Sequence, residues 1–78
     1  MPYNSAVTGI IIRRLRLARG MTQDVLSGLA NIPRSHLAMI EAGTKNASVD
    51  TLWRIADALK IRPSDLIRKI EDEGKEEK

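Results

Sequence analysis

The tightest constraint in this 78-residue chain is the connection at Asn31. A helix-period segment running from about Thr22 to Ala30, with Val25, Leu26 and Leu29 as its apolar residues, gives way almost at once to a second that opens at Pro33 and should stop at Gly43. A turn this short requires a residue at positive φ, which Asn tolerates better than most residues other than Gly. Pro33 suits the first helical turn, where its missing N–H would have no partner. Two short helices are therefore held close together with little freedom between them.

Three further helix-period segments complete the pattern, and the alternation expected of strands never appears, so the fold class is all-α, a compact bundle of five helices. The first segment, roughly 6–19, has Ser5 or Thr8 as N-cap, Ile12, Leu15 and Ala18 or Arg19 directed inward, and Gly20 just past its end. Thr22 caps the second. After the polar loop GTKNA (43–47), Ser48 caps a fourth helix with Leu52, Ile55, Ala56 and Leu59 on one stripe. A fifth starts at or just before Pro63, carries Leu66, Ile67 and Ile70, and should fray into the charged tail. Residues 1–70 are read as one domain and 71–78 as the tail.

Several functions are excluded by what the chain lacks. Cysteine is absent and His36 is the lone histidine, so disulfides, thiolate metal sites and a histidine metal centre are not expected, and no cofactor is implied. An enzyme is disfavoured: there is no nucleophile–base–orienter set, and Ser35 and His36, adjacent on a helix, point in different directions. The apolar run GIII (9–12) is too short to span a bilayer and MPYNSAVTG lacks the order of a secretory signal, so a soluble cytoplasmic protein is expected. A separate sensor domain does not fit, and no small-molecule ligand is expected. The net charge is +3, but the last eight residues hold five acids against two lysines, which leaves +6 on the rest. A basic body favours a polyanionic partner.

The stretch IPRSHLAMIEAG (32–43) carries two stripes. Pro33, Leu37, Ile40 and Glu41 share one side. Ser35, Ala38, Met39 and Ala42 share the other, flanked by Arg34 and His36, and this side lacks the Lys and Glu of an ordinary solvated face. A helix enters the DNA major groove only if its exposed side chains are small enough to let it approach base edges. Arg34 offers a two-pronged donor to guanine, Ser35 donates or accepts, and Met39 can touch a thymine methyl. For Ala38 and Ala42 taken singly, helix packing and base readout stay equally open; Arg34, His36 and nearby Lys45 favour readout for the whole.

The run IRRLRLARGMTQDVLSGLANIPRSHLAMIEAG, followed by SVDTLWRIADALKIRPSDLI, resembles the lambda-repressor-type (Cro/cI, XRE) helix-turn-helix domain over roughly three quarters of the chain, from Ile12 to Ile67. The resemblance is carried mainly by RGMTQ at 19–23, IEAG at 40–43 and ADAL in the fourth helix. It implies a five-helix DNA-binding domain, usually dimeric, that represses or activates transcription at palindromic operators. By the same resemblance, Arg34, Ser35 and Met39 reach base edges and His36 faces the backbone or a flanking base. Thr22 and Gln23 at the second helix start, and Thr44, Lys45 and Asn46 in the following loop, hold phosphates. Arg16 and Glu41 match an inward structural ion pair, whereas Arg13 and Arg14 are solvated or near phosphate. The chain departs from the family in having Asn31 for the turn Gly, Ser27 for a tightly packed Ala and Lys60 for a Gly. Gly28 inside the second helix costs up to about 1 kcal/mol against Ala.

Ile67 and Ile70, with Trp53 and Leu66, form the candidate homodimer seam; the alternative is that all of them close this domain's own core, and for Leu66 that is the favoured reading. Regulation is expected from protein concentration, dimerisation or competition with RNA polymerase. Free-standing domains of this size resemble restriction–modification controller proteins and small phage or plasmid repressors. The rival reading is a protein-interaction module of the same fold, an antitoxin or coactivator-like protein, recognisable by a partner-binding extension.

Overall fold

The structure, a computed structural model, describes residues 4–76, with side chains through Lys75. Among the described residues every regular element is a helix: α1 (Ser5–Ala18), α2 (Gln23–Ala30), α3 (Arg34–Ala42), α4 (Val49–Ala58) and α5 (Pro63–Glu76). The starts of α2 and α4 follow the sequence, because Thr22 Oγ1 accepts from the Val25 N–H and Ser48 Oγ from the Thr51 N–H, both at 3.1 Å. At α1 the cap is Asn4 instead of Ser5 or Thr8. Asn4 Oδ1 accepts from the Ala6 N–H at 2.9 Å, the Ser5 hydroxyl donates to the Gly43 carbonyl at 2.9 Å, and Thr8 is buried. Pro33 sits one residue ahead of α3, extended at φ −61° and ψ 143°, so it is the N-cap residue and not part of the first turn.

The first four helices end in the same way. Gly20, Asn31, Gly43 and Lys60 all have positive φ, and the next N–H in each case returns to a carbonyl five residues back: Met21 to Arg16, Ile32 to Ser27, Thr44 to Met39 and Ile61 to Ala56, at 3.0–3.1 Å. Each closure satisfies carbonyls the helix itself cannot pair. Lys60, where the family resemblance has Gly, keeps the left-handed geometry at φ 62° and does not end the helix differently.

The core is built from Ile11 and Ile12 of α1, Leu26 and Ala30 of α2, Leu37 and Ile40 of α3, the α4 stripe and Leu66. One expectation about inward faces is corrected, and on α2 the structure makes a choice that the sequence leaves open. Ala18 and Arg19 are exposed and Arg16 is buried instead, because α1 ends at Ala18 and the left-handed Gly20 turns the chain away before that edge can pack. Val25 and Leu29 are exposed whereas Leu26, Ser27 and Ala30 are buried; both sets contain an i, i+4 pair, and packing against α4 and α3 selects the second.

The most extensive helix contact is α1 with α3. Gly9 makes it possible: a Cβ there would lie 2.5 Å from the Ile40 carbonyl oxygen and in collision with that of Glu41. The first half of α1 thus rests directly on the backbone of the last turn of α3. The tail also differs from expectation. The α5 helix continues to Glu76, with Arg14 Nη1 3.2 Å from Glu73 Oε1 and an i, i+4 pair between Lys75 and Glu71, so 71–76 is helical; residues 77 and 78 of the expected tail lie outside the described residues.

Candidate nucleic-acid interface

Leu37 and Ile40 anchor α3 by its inner side, and this anchoring decides what the outer side can present. Arg34, Ser35, Met39 and Ala42 are exposed, while His36 and Ala38 are half-buried. The outer surface is therefore low in relief from Ala38 to Ala42, with Met39 the one large side chain standing out of it, 43% exposed. Lys45 and Asn46 are exposed in the loop that follows. Thr44 is engaged locally: both its N–H and its hydroxyl donate to the Met39 carbonyl, at 3.0 and 3.2 Å, closing the end of α3.

The angle of α3 is held by a buried polar cluster. Arg16 Nε donates to Glu41 Oε2 at 2.8 Å, Nη2 to Oε1 at 2.9 Å and Nη1 to the Met21 carbonyl at 2.8 Å. The hydrogen bond to Glu41 raises the Arg16 pKa above its ordinary value; burial opposes this and the Glu41 charge adds to it. Gln23 joins from the start of α2, its Nε2 donating to Glu41 Oε1 at 3.1 Å. So Gln23, read from sequence as a phosphate ligand, is also the link that ties the α2 N-terminus to the last turn of α3. Around this cluster lies an open cavity of about 310 Å³ lined by Arg13, Arg16, Gln23, Ala38, Glu41 and Ala42. Two of its walls, Ala38 and Ala42, belong to the outer stripe of α3.

One relationship escaped sequence reasoning. Asp24, the second residue of α2, lies 3.1 Å from Arg34, the first residue of α3, through Oδ1 and Nε. The two are ten positions apart, so no helical period links them, and only the closed turn at Asn31 makes them neighbours. In the proposed seam, Trp53 and Ile67 are exposed, at 60% and 47%, and Ile70 is half-buried. Leu66 is fully buried in this domain's own core and is removed from the seam: it lies on the inward side of α5, one residue round the helix from Ile67. Among the described residues no three metal-ligating side chains come together, and no helix is long and apolar enough to cross a membrane.

Two helices joined by a three-residue turn, the second packed against the first with an open outer face, define a helix-turn-helix protein. The Helix-turn-helix family model matches residues 12–66, and the chain belongs to that family. It is 35% identical to the control protein C.BamHI of Bacillus amyloliquefaciens over 57 residues, 72% of this chain and 70% of that protein. The restriction-modification controller protein C.AhdI from Aeromonas hydrophila superposes with a TM-score of 0.77 at 34% identity, covering 80% of this chain and 94% of that one. C.Esp1396I bound to a 19 base pair DNA duplex superposes with a TM-score of 0.81 at 25% identity, covering 88% and 92%.

Proposed function

We propose that this protein is a sequence-specific double-stranded DNA-binding regulator of transcription, acting as a homodimer at a palindromic operator, and that it represses or activates according to where that operator lies. The observation that carries the reading is the outer face of α3. It is exposed, small in relief, free of acids and rimmed by Arg34 and Lys45, while its inner face is fixed to the core. The relatives support it: two are controller or control proteins and a third is described on a DNA duplex.

In this reading α3 enters the major groove. Arg34 donates to guanine O6 and N7, Ser35 donates or accepts, Met39 meets a thymine methyl and His36 lies toward a flanking base or the backbone. Lys45 and Asn46 take phosphates on one side. On the other, the α2 N-terminus offers Thr22 and Gln23: the Thr22 oxygen caps the helix and leaves its hydroxyl proton to donate, and Gln23 keeps a second amide proton. Thr44 contributes by closing the helix that Lys45 follows. The reaction is binding alone, with counterion release supplying sequence-independent affinity and base contacts supplying choice.

One domain touches few base pairs, so two copies are needed for useful specificity. Trp53, Ile67 and Ile70 form the seam, and a twofold dimer sets its recognition helices about 34 Å apart. Control then comes from dimer concentration and competition with RNA polymerase, in the cytoplasm with the DNA. Selection from a random duplex library tests the reading: enrichment of a palindrome is expected, and a library that yields no enriched sequence at low ionic strength contradicts it.

A further inference from the structure

We infer that Asp24 is a positioning residue for base recognition, holding the Arg34 guanidinium toward the base edge. The inference rests on the reading of Arg34 as a base-contacting residue. Arginine on an exposed helix start samples many rotamers, and each that points elsewhere must be abandoned before a two-pronged contact with guanine forms. The Asp24 carboxylate removes part of that freedom. Its Oδ1 lies 3.1 Å from Arg34 Nε, the nitrogen next to the aliphatic stem. An approach centred on Nε leaves Nη1 and Nη2 as the donors available for guanine O6 and N7.

Both partners ride on fixed backbone. Thr22 caps α2 two residues before Asp24, Leu26 and Ala30 bury its inner side, Asn31 closes the turn in the left-handed conformation, and Leu37 and Ile40 fix α3. The two backbones therefore keep the carboxylate within reach of the Arg34 guanidinium. A second effect reinforces the first. Asp24 places a negative charge where phosphates approach, so an arginine held beside it is steered away from the backbone and toward the bases, and sequence-independent affinity is sacrificed for discrimination. Both side chains are largely exposed, at 64% and 77%, so the bias is modest: an exposed pair shifts an equilibrium by about two- to fivefold.

The test uses the duplex enriched from the random library and a version with the guanine opposite Arg34 replaced. Asp24→Ala and Asp24→Asn are compared with wild type, alone and combined with Arg34→Ala, after thermal unfolding has verified that each variant folds. The expected result is opposite movement: affinity for an unrelated duplex rises two- to fivefold at low salt, while the ratio of cognate to substituted duplex falls two- to fivefold. In the Arg34→Ala background the Asp24 changes should still raise unrelated-duplex affinity but leave the ratio untouched. A purely structural role for Asp24 lowers both affinities together and would overturn the inference. So would an unchanged or increased ratio in Asp24→Ala while Arg34→Ala alone relaxes one base position. If Arg34→Ala relaxes no position, the reading of Arg34 itself is wrong and the inference falls with it; absence of any enriched duplex counts against DNA recognition altogether.

Discussion

Arg16 and Glu41 meet across the α1–α3 contact through two hydrogen bonds of 2.8 and 2.9 Å, with side chains only 10% and 3% exposed. Removing one member strands the other charge in a place water barely reaches. Glu41→Ala is expected to lower unfolding free energy by about 3–5 kcal/mol in urea titration, whereas Arg16→Met with Glu41→Leu should recover most of that loss. The sign of any pH effect follows from the raised Arg16 pKa: the stabilisation attached to Arg16 ionisation is present throughout the acid and neutral range and is lost only when pH rises into the strongly alkaline range.

Three backbone positions should respond in opposite directions. Gly9→Ala drives a methyl group into the Ile40 and Glu41 carbonyls, so α1 and α3 must separate, at a cost of about 3 kcal/mol. Gly28→Ala meets nothing within 4 Å in the interior of α2 and should stabilise by about 0.5–1 kcal/mol. Lys60→Gly relieves a left-handed lysine and should gain a similar amount. Thermal melts of the three variants read the order directly; a neutral Gly9→Ala would contradict the close approach.

Arg34 and Lys45 should separate choice from affinity. Arg34→Ala is expected to cost about 1–3 kcal/mol at the cognate site and to relax one base position, while Lys45→Ala weakens all duplexes alike and reduces the salt slope by about 1. Affinity measured over a salt series on cognate and scrambled duplexes distinguishes them. Identical behaviour in the two variants would remove the division of labour.

The seam on α5 has its own measurement. Ile67→Asp puts a charge on an apolar surface that the monomer leaves exposed, so the fold should survive and the dimer should not. Sedimentation equilibrium is expected to show a monomer, with Leu66, buried in the core, undisturbed. A dimer of unchanged stability would move the seam elsewhere.

What could be read from the sequence was local chemistry. Thr22, Ser48, Asn31 and Gly43 act through their own backbone neighbourhoods, and each sits where its residue type indicated. The misplacements came from competition settled at a distance. Asn4, Ser5 and Thr8 are all competent caps, and Ser5 is diverted to the Gly43 carbonyl only because α3 ends beside it. On α2 the period allowed either Val25 with Leu29 or Leu26 with Ala30, and neighbouring helices made the choice. The Asp24–Arg34 contact had no period at all to announce it. Family resemblance places Arg16 inward, while hydrophobic spacing alone points past it to Ala18 or Arg19.

The central claim is that the outer face of α3 meets base edges, and an NMR titration of the ¹⁵N-labelled protein with the enriched duplex tests it most directly. The account predicts the largest shift changes at Arg34, Ser35, Met39, Lys45 and Asn46, with nuclear Overhauser contacts from the Arg34 and Met39 side chains to major-groove base protons. Changes confined to α4 and α5, with α3 unperturbed, would contradict it.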